Sequence, residues 1–403
     1  MTNNLENQPK RGFDNEEFEK RFEVVQTKMR EQQLAAILLT TEHDINYYTG
    51  YLTQFWQSPT RPWYLVLPSE GLPISVIPTI GVECMAKGWM TDIRNWSSPH
   101  PTDDGISLLT EALVESVERA KQATGFTNIG ISAGRETHMR MPLCDLNQIK
   151  ENLHNHDKQV EFVDSSLIMR RQRMVKSPNE IEKLRYVAQT VSSVFERLFD
   201  FVHPGMSDGE VFREFKIQCL TEGVDDVAFL VGGADQGGYG DIISPAGPRK
   251  IRDGDVLILD TGCTFDGYYC DFDRNYGFGK VDQSAHDAYE AVWEATEQGF
   301  LAAKPGNTPA DLFHAMNDVL QKAGALGDSV GRYGHGLGLQ LTEPPSNTPW
   351  DNEVFEVGTV MTLEPGMEFA PGKLMVHEEN IVITENGAEY LSRRALPKMP
   401  IYP

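Results

Sequence analysis

Two stretches roughly a hundred residues apart share one pattern, and each closes on a carboxylate: Gly254-Asp255-Val256-Leu257-Ile258-Leu259-Asp260-Thr261-Gly262 and Gly358-Thr359-Val360-Met361-Thr362-Leu363-Glu364-Pro365-Gly366. The likeness extends upstream, where Pro204-Gly205-Met206-Ser207 before Glu210-Val211-Phe212 is echoed by Pro305-Gly306-Asn307-Thr308 before Asp311-Leu312-Phe313. Each copy reads as turn, helix N-cap, helix, loop, apolar strand and acid. Two copies are too few for a solenoid, so the pattern implies a pseudo-twofold domain with a site where the copies meet. Acids at the ends of apolar strands are costly to bury unless a cation lies between them.

The 403 residues are enough for two domains with substantial cores. No apolar run is long enough to cross a bilayer, and the polar opening Met1-Thr2-Asn3-Asn4-Leu5 has no signal-peptide pattern, so a cytoplasmic location without membrane attachment is expected. A formal charge of −23 argues against nucleic-acid partners and suits an enzyme that gathers carboxylates around divalent metal. The five cysteines, Cys84, Cys144, Cys219, Cys263 and Cys270, form no CxxC pair and are read as reduced thiols. Cys263 and Cys270 are read as small buried hydrophobes rather than ligands.

Residues up to Phe13 are polar and are expected to fray. From Phe18 to Gln33 the spacing Phe18, Phe22, Val25, Met29 predicts a helix, followed by strands at 35–39, 64–67, 74–77 and 129–131 and a helix from Leu108 to Ala123. This alternation predicts an α/β domain over 14–171 with a mostly parallel or mixed sheet. Ser177-Pro178-Asn179-Glu180 combines an N-cap, a first-turn proline and a capping box, so a second domain is expected over 172–403. Its first helix has Leu184, Val187, Val191 and Phe195 on one face, which is core. Gly232 to Gly240 is rich in glycine without phosphate-loop spacing and is expected to be a mobile loop lining a cleft.

Five residues assemble from the two copies. Asp260 and Glu364 end the repeated strands; Asp271 lies in the hairpin partner beyond the Asp266-Gly267 turn, and Glu378 in the corresponding partner Met375 to Ile383. His335 is the fifth, in Gly334-His335-Gly336, where glycines allow close backbone approach. An oxygen-rich set of this kind suits Mn, Fe or Co better than Zn, and two divalent ions are needed to neutralise four carboxylates. A pair of ions would lower the pKa of water and polarise the group under attack. Asp273 and Glu379 are read as turn or surface acids, although strand alternation does not separate Asp271 from Asp273.

These motifs resemble the pita-bread family of creatinase, prolidase (Xaa-Pro dipeptidase), aminopeptidase P and methionine aminopeptidase. Asp44-Ile45-Asn46-Tyr47-Tyr48-Thr49-Gly50 is similar to the signature of its N-terminal domain, and Val175 to Glu180 to the start of its catalytic domain. The resemblance implies an α+β chain with a smaller N-terminal α/β domain, a pita-bread catalytic domain and a homodimer. It implies that Asp271 and Glu378 bridge two divalent metal ions, that Asp260 chelates one, and that His335 and Glu364 hold the other. Two histidines that handle substrate in proline peptidases are replaced here by Ile243 and Thr342, and the arginine two places before the last metal glutamate by Val376.

Creatinase has an Arg-Pro-aromatic motif whose arginine reaches a neighbouring subunit's site, and Arg61 in Trp56-Gln57-Ser58-Pro59-Thr60-Arg61-Pro62-Trp63 stands in a similar place. Arg61 would hold a substrate carboxylate, with Trp56, Trp63 and Thr342 as further substrate-binding residues. The expected activity is hydrolysis of an amide or other C–N bond in a small carboxylate-bearing molecule or dipeptide, like that of an Xaa-Pro dipeptidase or creatinase. The alternative is β-elimination from a small zwitterion such as dimethylsulfoniopropionate, with Asp241 or Tyr239 as base; against it, the aspartate that serves as base in the lyases of this fold is Leu341 here. Glu343 is counted with these two among the candidate catalytic residues. A non-catalytic binding protein ranks last, because such a chain would have eroded its metal ligands.

Overall fold

Leu34–Leu39 (β1) carries no polar side chain, and a strand of that kind belongs inside a sheet covered on both faces. In the computed structural model, which describes residues 8–58, 60–327 and 331–403, all six of its residues are buried. Contacts divide the chain into one unit spanning Gly12–Gln172 and a second spanning Arg173–Pro403, which residues 8–11 join. Among the described residues no helix is long and apolar enough to cross a membrane.

In the first unit, β1 lies between Tyr64–Pro68 (β2), antiparallel to it, and Asn128–Ile131 (β5), parallel to it. Ile74–Pro78 (β3), Asp92–Trp96 (β4) and Phe162–Asp164 (β6) complete a mixed sheet of order β4-β3-β2-β1-β5-β6. Helix Ile106–Ala123 (α3) sets Leu109, Leu113 and Val117 against Leu38, Val66 and Ile129. Asn15–Glu31 (α1) buries Phe18, Phe22, Val25 and Met29, the stripe its spacing predicts, and Glu42–Thr49 (α2) carries the Asn46-Tyr47-Tyr48 segment.

Trp63 is 1% exposed, with its ring 5.1 Å from that of Tyr51 and 5.9 Å from that of Trp56. Trp56 and Trp63, expected to stack on a substrate, are both buried aromatics of this unit. Arg61 is half-buried, with φ 60° and its guanidinium 5.5 Å from the centre of the Phe55 ring.

The second unit carries the repeat into three dimensions. Each copy starts its second helix with a capping box: the Glu210 N–H donates to Ser207 Oγ at the head of Asp208–Glu222, and the Asp311 N–H to Thr308 Oγ1 at the head of Pro309–Lys322, both at 3.3 Å. The glycines that open the repeated strands, Gly254 (φ 84°) and Gly358 (φ 93°), share a left-handed conformation that other residues adopt only under strain. The first copy contributes Asp226–Gln236 (β7), Asp255–Phe265 (β8), Tyr268–Tyr269 (β9) and Phe272–Phe278 (β10). With Ile401–Tyr402 (β18) they form a sheet of order β18-β10-β8-β7, and β9 pairs with β8.

The second copy contributes His335–Gly336 (β11), Glu343–Ser346 (β12), Val360–Leu363 (β13), Glu379–Thr384 (β16) and Gly387–Tyr390 (β17). Their order is β12-β11-β13-β16-β17, and the hairpin Gly366–Ala370 (β14) with Lys373–Val376 (β15) stands apart. Val292, Leu312, Met316, Met361, Leu363 and Ile381 belong to the core beneath this second copy.

Three expectations change here. Lys10 and Arg11 do not fray: Arg11 makes a two-point ion pair with Asp225 at 2.6 and 2.8 Å and lies over the Phe265 ring, while the Lys10 carbonyl accepts from Lys183. The glycine-rich segment is not a mobile loop, because its first half is β7, where a Cβ on Gly232 would lie 2.5 Å from the Ile258 carbonyl oxygen. Asp260 does not end its strand; β8 continues five residues past it to Phe265.

Candidate metal centre

Asp260 projects from the middle of β8, Asp271 from the break between β9 and β10, and Glu378 from the break between β15 and β16. One ligand oxygen from each lies within 4.8 Å of the others. Glu364 follows β13 directly, and His335 opens β11. His335 Nε2 lies 3.4 Å from Asp271 Oδ2 and 3.5 Å from Glu364 Oε1, so the five residues from the two copies converge.

Each is held from behind. The Asp271 N–H donates to Asn380 Oδ1 at 3.0 Å and its carbonyl accepts from Asn380 Nδ2, a two-way clamp that ties the first sheet to the second. The Glu378 N–H donates to Asp273 Oδ1 at 3.1 Å, and the Glu378 carbonyl accepts from Arg274 at 2.8 Å. The His335 N–H donates to Thr362 Oγ1 at 2.9 Å. His335 Nδ1 is 2.9 Å from the Gly336 carbonyl, which can only accept, so Nδ1 carries the proton and Nε2 presents its lone pair to the carboxylates. A side chain at Gly334 (φ 130°) would place Cβ 2.3 Å from the Thr362 carbonyl oxygen, which is why the histidine needs a glycine before it.

Burial raises the pKa values of Asp260, Asp271 and Glu378 well above the carboxylate range, and the neighbouring carboxylates raise them further. Burial also lowers His335, against the pull of Glu364. Asp260 Oδ1 and Glu378 Oε2 are buried with no hydrogen-bond partner among the described residues. Buried acceptors without donors among the described residues, beside a neutral imidazole lone pair, are the donor set of a cation site.

Comparison with known proteins agrees with this geometry. Residues 182–385 match the model of metallopeptidase family M24, and residues 21–175 that of the creatinase/prolidase N-terminal domain. The chain belongs to metallopeptidase family M24. A probable dipeptidase PepE of Mycobacterium bovis is 29% identical over 390 residues, covering 94% of this chain and 95% of that one. The crystal structure of dipeptidase PepE from Mycobacterium ulcerans superposes with a TM-score of 0.82 at 25% identity, covering 97% of this chain and 99% of that one. An Xaa-Pro dipeptidase from Bacillus anthracis shares the fold, with a TM-score of 0.80 at 22% identity over 95% and 99% of the two chains. The second unit is thus a pita-bread domain and the first a creatinase-type α/β domain, and the protein is a metal-dependent hydrolase of a family that uses divalent ions, typically two.

In this M24 chain the other candidate residues sit elsewhere. Glu343 is a buried ion-paired acid, bonded to Arg173, to Lys176 at 3.0 Å and to the Gln340 N–H at 3.1 Å. Burial opposes its ionisation, but the two cations outweigh burial and hold its pKa at about 2, so it has no proton to give at neutral pH. Asp241 is exposed and accepts from the Ile243 and Ser244 N–H groups at 3.1 and 3.0 Å; these bonds lower its pKa, and it caps its own turn. Tyr239 is buried, donates to Asn275 Oδ1 at 2.7 Å and accepts the Val376 N–H at 3.0 Å, and burial pushes its pKa far up. Asp241 and Tyr239, expected as bases, and Glu343, counted as catalytic, are thus each engaged in structural bonds. Thr342 is exposed, and its hydroxyl accepts from Arg332 at 3.4 Å.

Asp273 and Glu379 are not surface acids: both are fully buried. Asp273 is the cross-strand partner of Asp260 and orients Glu378, while Glu379 is bonded to Arg274 at 3.0 Å, the Ala395 N–H at 2.9 Å and Ser392. Sequence reading also missed Asn380 and Arg332. Asn380 had a signal, as the uncharged polar residue between Glu379 and the apolar run Ile381-Val382-Ile383. Arg332 had none.

Proposed function

We propose that the chain is a binuclear-metal dipeptidase that hydrolyses the amide bond of small carboxylate-bearing dipeptides. The observation that supports this most is the meeting of Asp260, Asp271, Glu378, Glu364 and His335 from the two copies, with buried carboxylate oxygens that lack donors among the described residues. Asp271 and Glu378 would hold both ions, Asp260 one, and His335 with Glu364 the other. Bound there, divalent ions supply an activated water and a Lewis acid for the scissile carbonyl. The chain's own part is to orient: Asn380 fixes Asp271, Asp273 fixes Glu378, and the Gly336 carbonyl fixes the His335 tautomer.

The dipeptidase and Xaa-Pro dipeptidase named above support peptides over guanidino substrates. The elimination reading loses its support with the commitments of Asp241 and Tyr239. Exposed Ile243 and Thr342, at places where proline peptidases carry histidines, point to dipeptides rather than longer chains. A homodimer is part of the proposal. The test is to load the purified protein with Mn²⁺, Fe²⁺ or Co²⁺, count metal per chain, and assay Xaa-Pro dipeptides, other dipeptides, tripeptides and creatine. About two ions per chain with dipeptide turnover is the expected result; full activity in metal-stripped protein overturns it.

A further inference from the structure

The cations packed around the metal centre are nearly all neutralised by acids of their own. Arg173 and Lys176 are bound to Glu343, and Arg274 to Glu379, whose carboxylate also has Arg394 at 3.6 Å. Arg332 differs. Its side chain is 34% exposed, and its one ion pair among the described residues is a 4.0 Å approach of Nε to Glu364 Oε1. Its remaining contacts are hydroxyls at the long limit of hydrogen bonding: Nη1 to Ser346 Oγ and Nη2 to Thr342 Oγ1, both 3.4 Å. The approach to Glu364 places it beside the ligand set and not in open solvent alone.

A guanidinium has five donors in a fork that matches a carboxylate, and among the described residues none of those of Arg332 is taken by a well-placed acceptor. A cation that shares the Glu364 charge would weaken even this distant pairing, leaving a positive group at the edge of a neutralised centre. We propose that Arg332 is the specificity residue that receives an anionic group of the substrate, a carboxylate held next to the scissile bond. This rests on the dipeptidase reading and names what selects within it. Two parts of a dipeptide carry that chemistry, its C-terminal carboxylate and an acidic side chain.

The experiment uses the metal-loaded enzyme and the dipeptide it cleaves best, with two matched comparisons: that dipeptide against its C-terminal amide, and a Glu-containing dipeptide against its Gln counterpart. Wild type is expected to prefer the anion in one of the pairs by about tenfold or more in kcat/KM, and the pair identifies which carboxylate Arg332 holds. Arg332→Ala should erase that preference through a rise in KM of about tenfold, with kcat within about threefold and metal content unchanged; Arg332→Lys should restore part of it. Titration calorimetry of the same four compounds reads the preference without turnover. A preference that survives in Arg332→Ala, or its absence in wild type, overturns the assignment while leaving the dipeptidase reading intact. A metal-loaded wild type that neither cleaves nor binds any of the dipeptides overturns both.

Discussion

Two sets of buried acids lie in the same unit and have opposite electrostatics. Glu343 and Glu379 are met by Arg173, Lys176, Arg274 and Arg394, and their pKa values fall in spite of burial. Asp260, Asp271 and Glu378 are met by one another, and their pKa values rise. The physical difference is the location of the compensating charge. For the first set the protein supplies it, and the result is structure; for the second it comes from outside, and the result is a site. Burial and residue type do not distinguish the two sets, but their partners do.

The sharpest way to break this comparison is to remove one acid from each set. Asp271→Ala should lower metal content and reduce turnover by more than about a hundredfold, beyond the loss expected from an outer-shell change. In metal-free protein the same change should raise stability, since it relieves like-charge repulsion. Metal analysis and chelator-treated urea melts read both effects, and a less stable metal-free variant would contradict the uncompensated cluster.

Glu343→Gln should do the reverse, costing about 3–5 kcal/mol of stability because two buried cations lose their anion, with metal content kept in the folded fraction. The pH dependence carries a sign. The pKa of Glu343 is depressed from 4.5 to about 2 in the folded state, so its contribution is full above the ordinary carboxylate value and is lost as pH falls through that window. Urea melts between neutral and acidic pH should show a shallower acid-side loss in Glu343→Gln than in wild type.

Asn380→Ala removes the clamp and leaves the ligands in place. A ten- to hundredfold loss of metal affinity is expected, read by competition with a chelating dye. The smallest effect is expected at Arg61. The resemblance to creatinase places a substrate-carboxylate receptor there, whereas the structure shows its guanidinium over Phe55. Arg61→Ala should change kcat/KM by less than about twofold, against the tenfold expected for Arg332→Ala; a larger loss at Arg61 would move the receptor to the first unit.

Much of the architecture was legible because it is written in local chemistry. Capping boxes at Ser177, Ser207 and Thr308 announce their helices, and the all-apolar β1 announces a covered strand, since both signals depend on neighbours within a few residues. The repeat let Asp260 and Glu364 be paired before any coordinates, and the glycines flanking His335 marked a close approach. Asp271 and Asp273 were not separable by alternation, because the break before β10 releases Asp271 from the regular strand while Asp273 remains paired with Asp260. Glu343 reads in sequence like a catalytic acid beside Thr342. Its two cations come from more than 160 residues upstream, and only folding brings them together.

The sequence by itself determined the two copies, many of their helices and strands, and the pairing of Asp260 with Glu364, while the choice of Asp271 over Asp273 came from the family resemblance. Tertiary structure decided which acids are neutralised by the protein and which are left for a cation. It also buried Trp56 and Trp63 in a core and gave Arg332, among the described residues, only a 4.0 Å approach to Glu364. The reason is range: caps, turns and periodicity act between residues close in the chain, whereas the charge state of a buried group is set by whatever the fold places within a few ångströms of it.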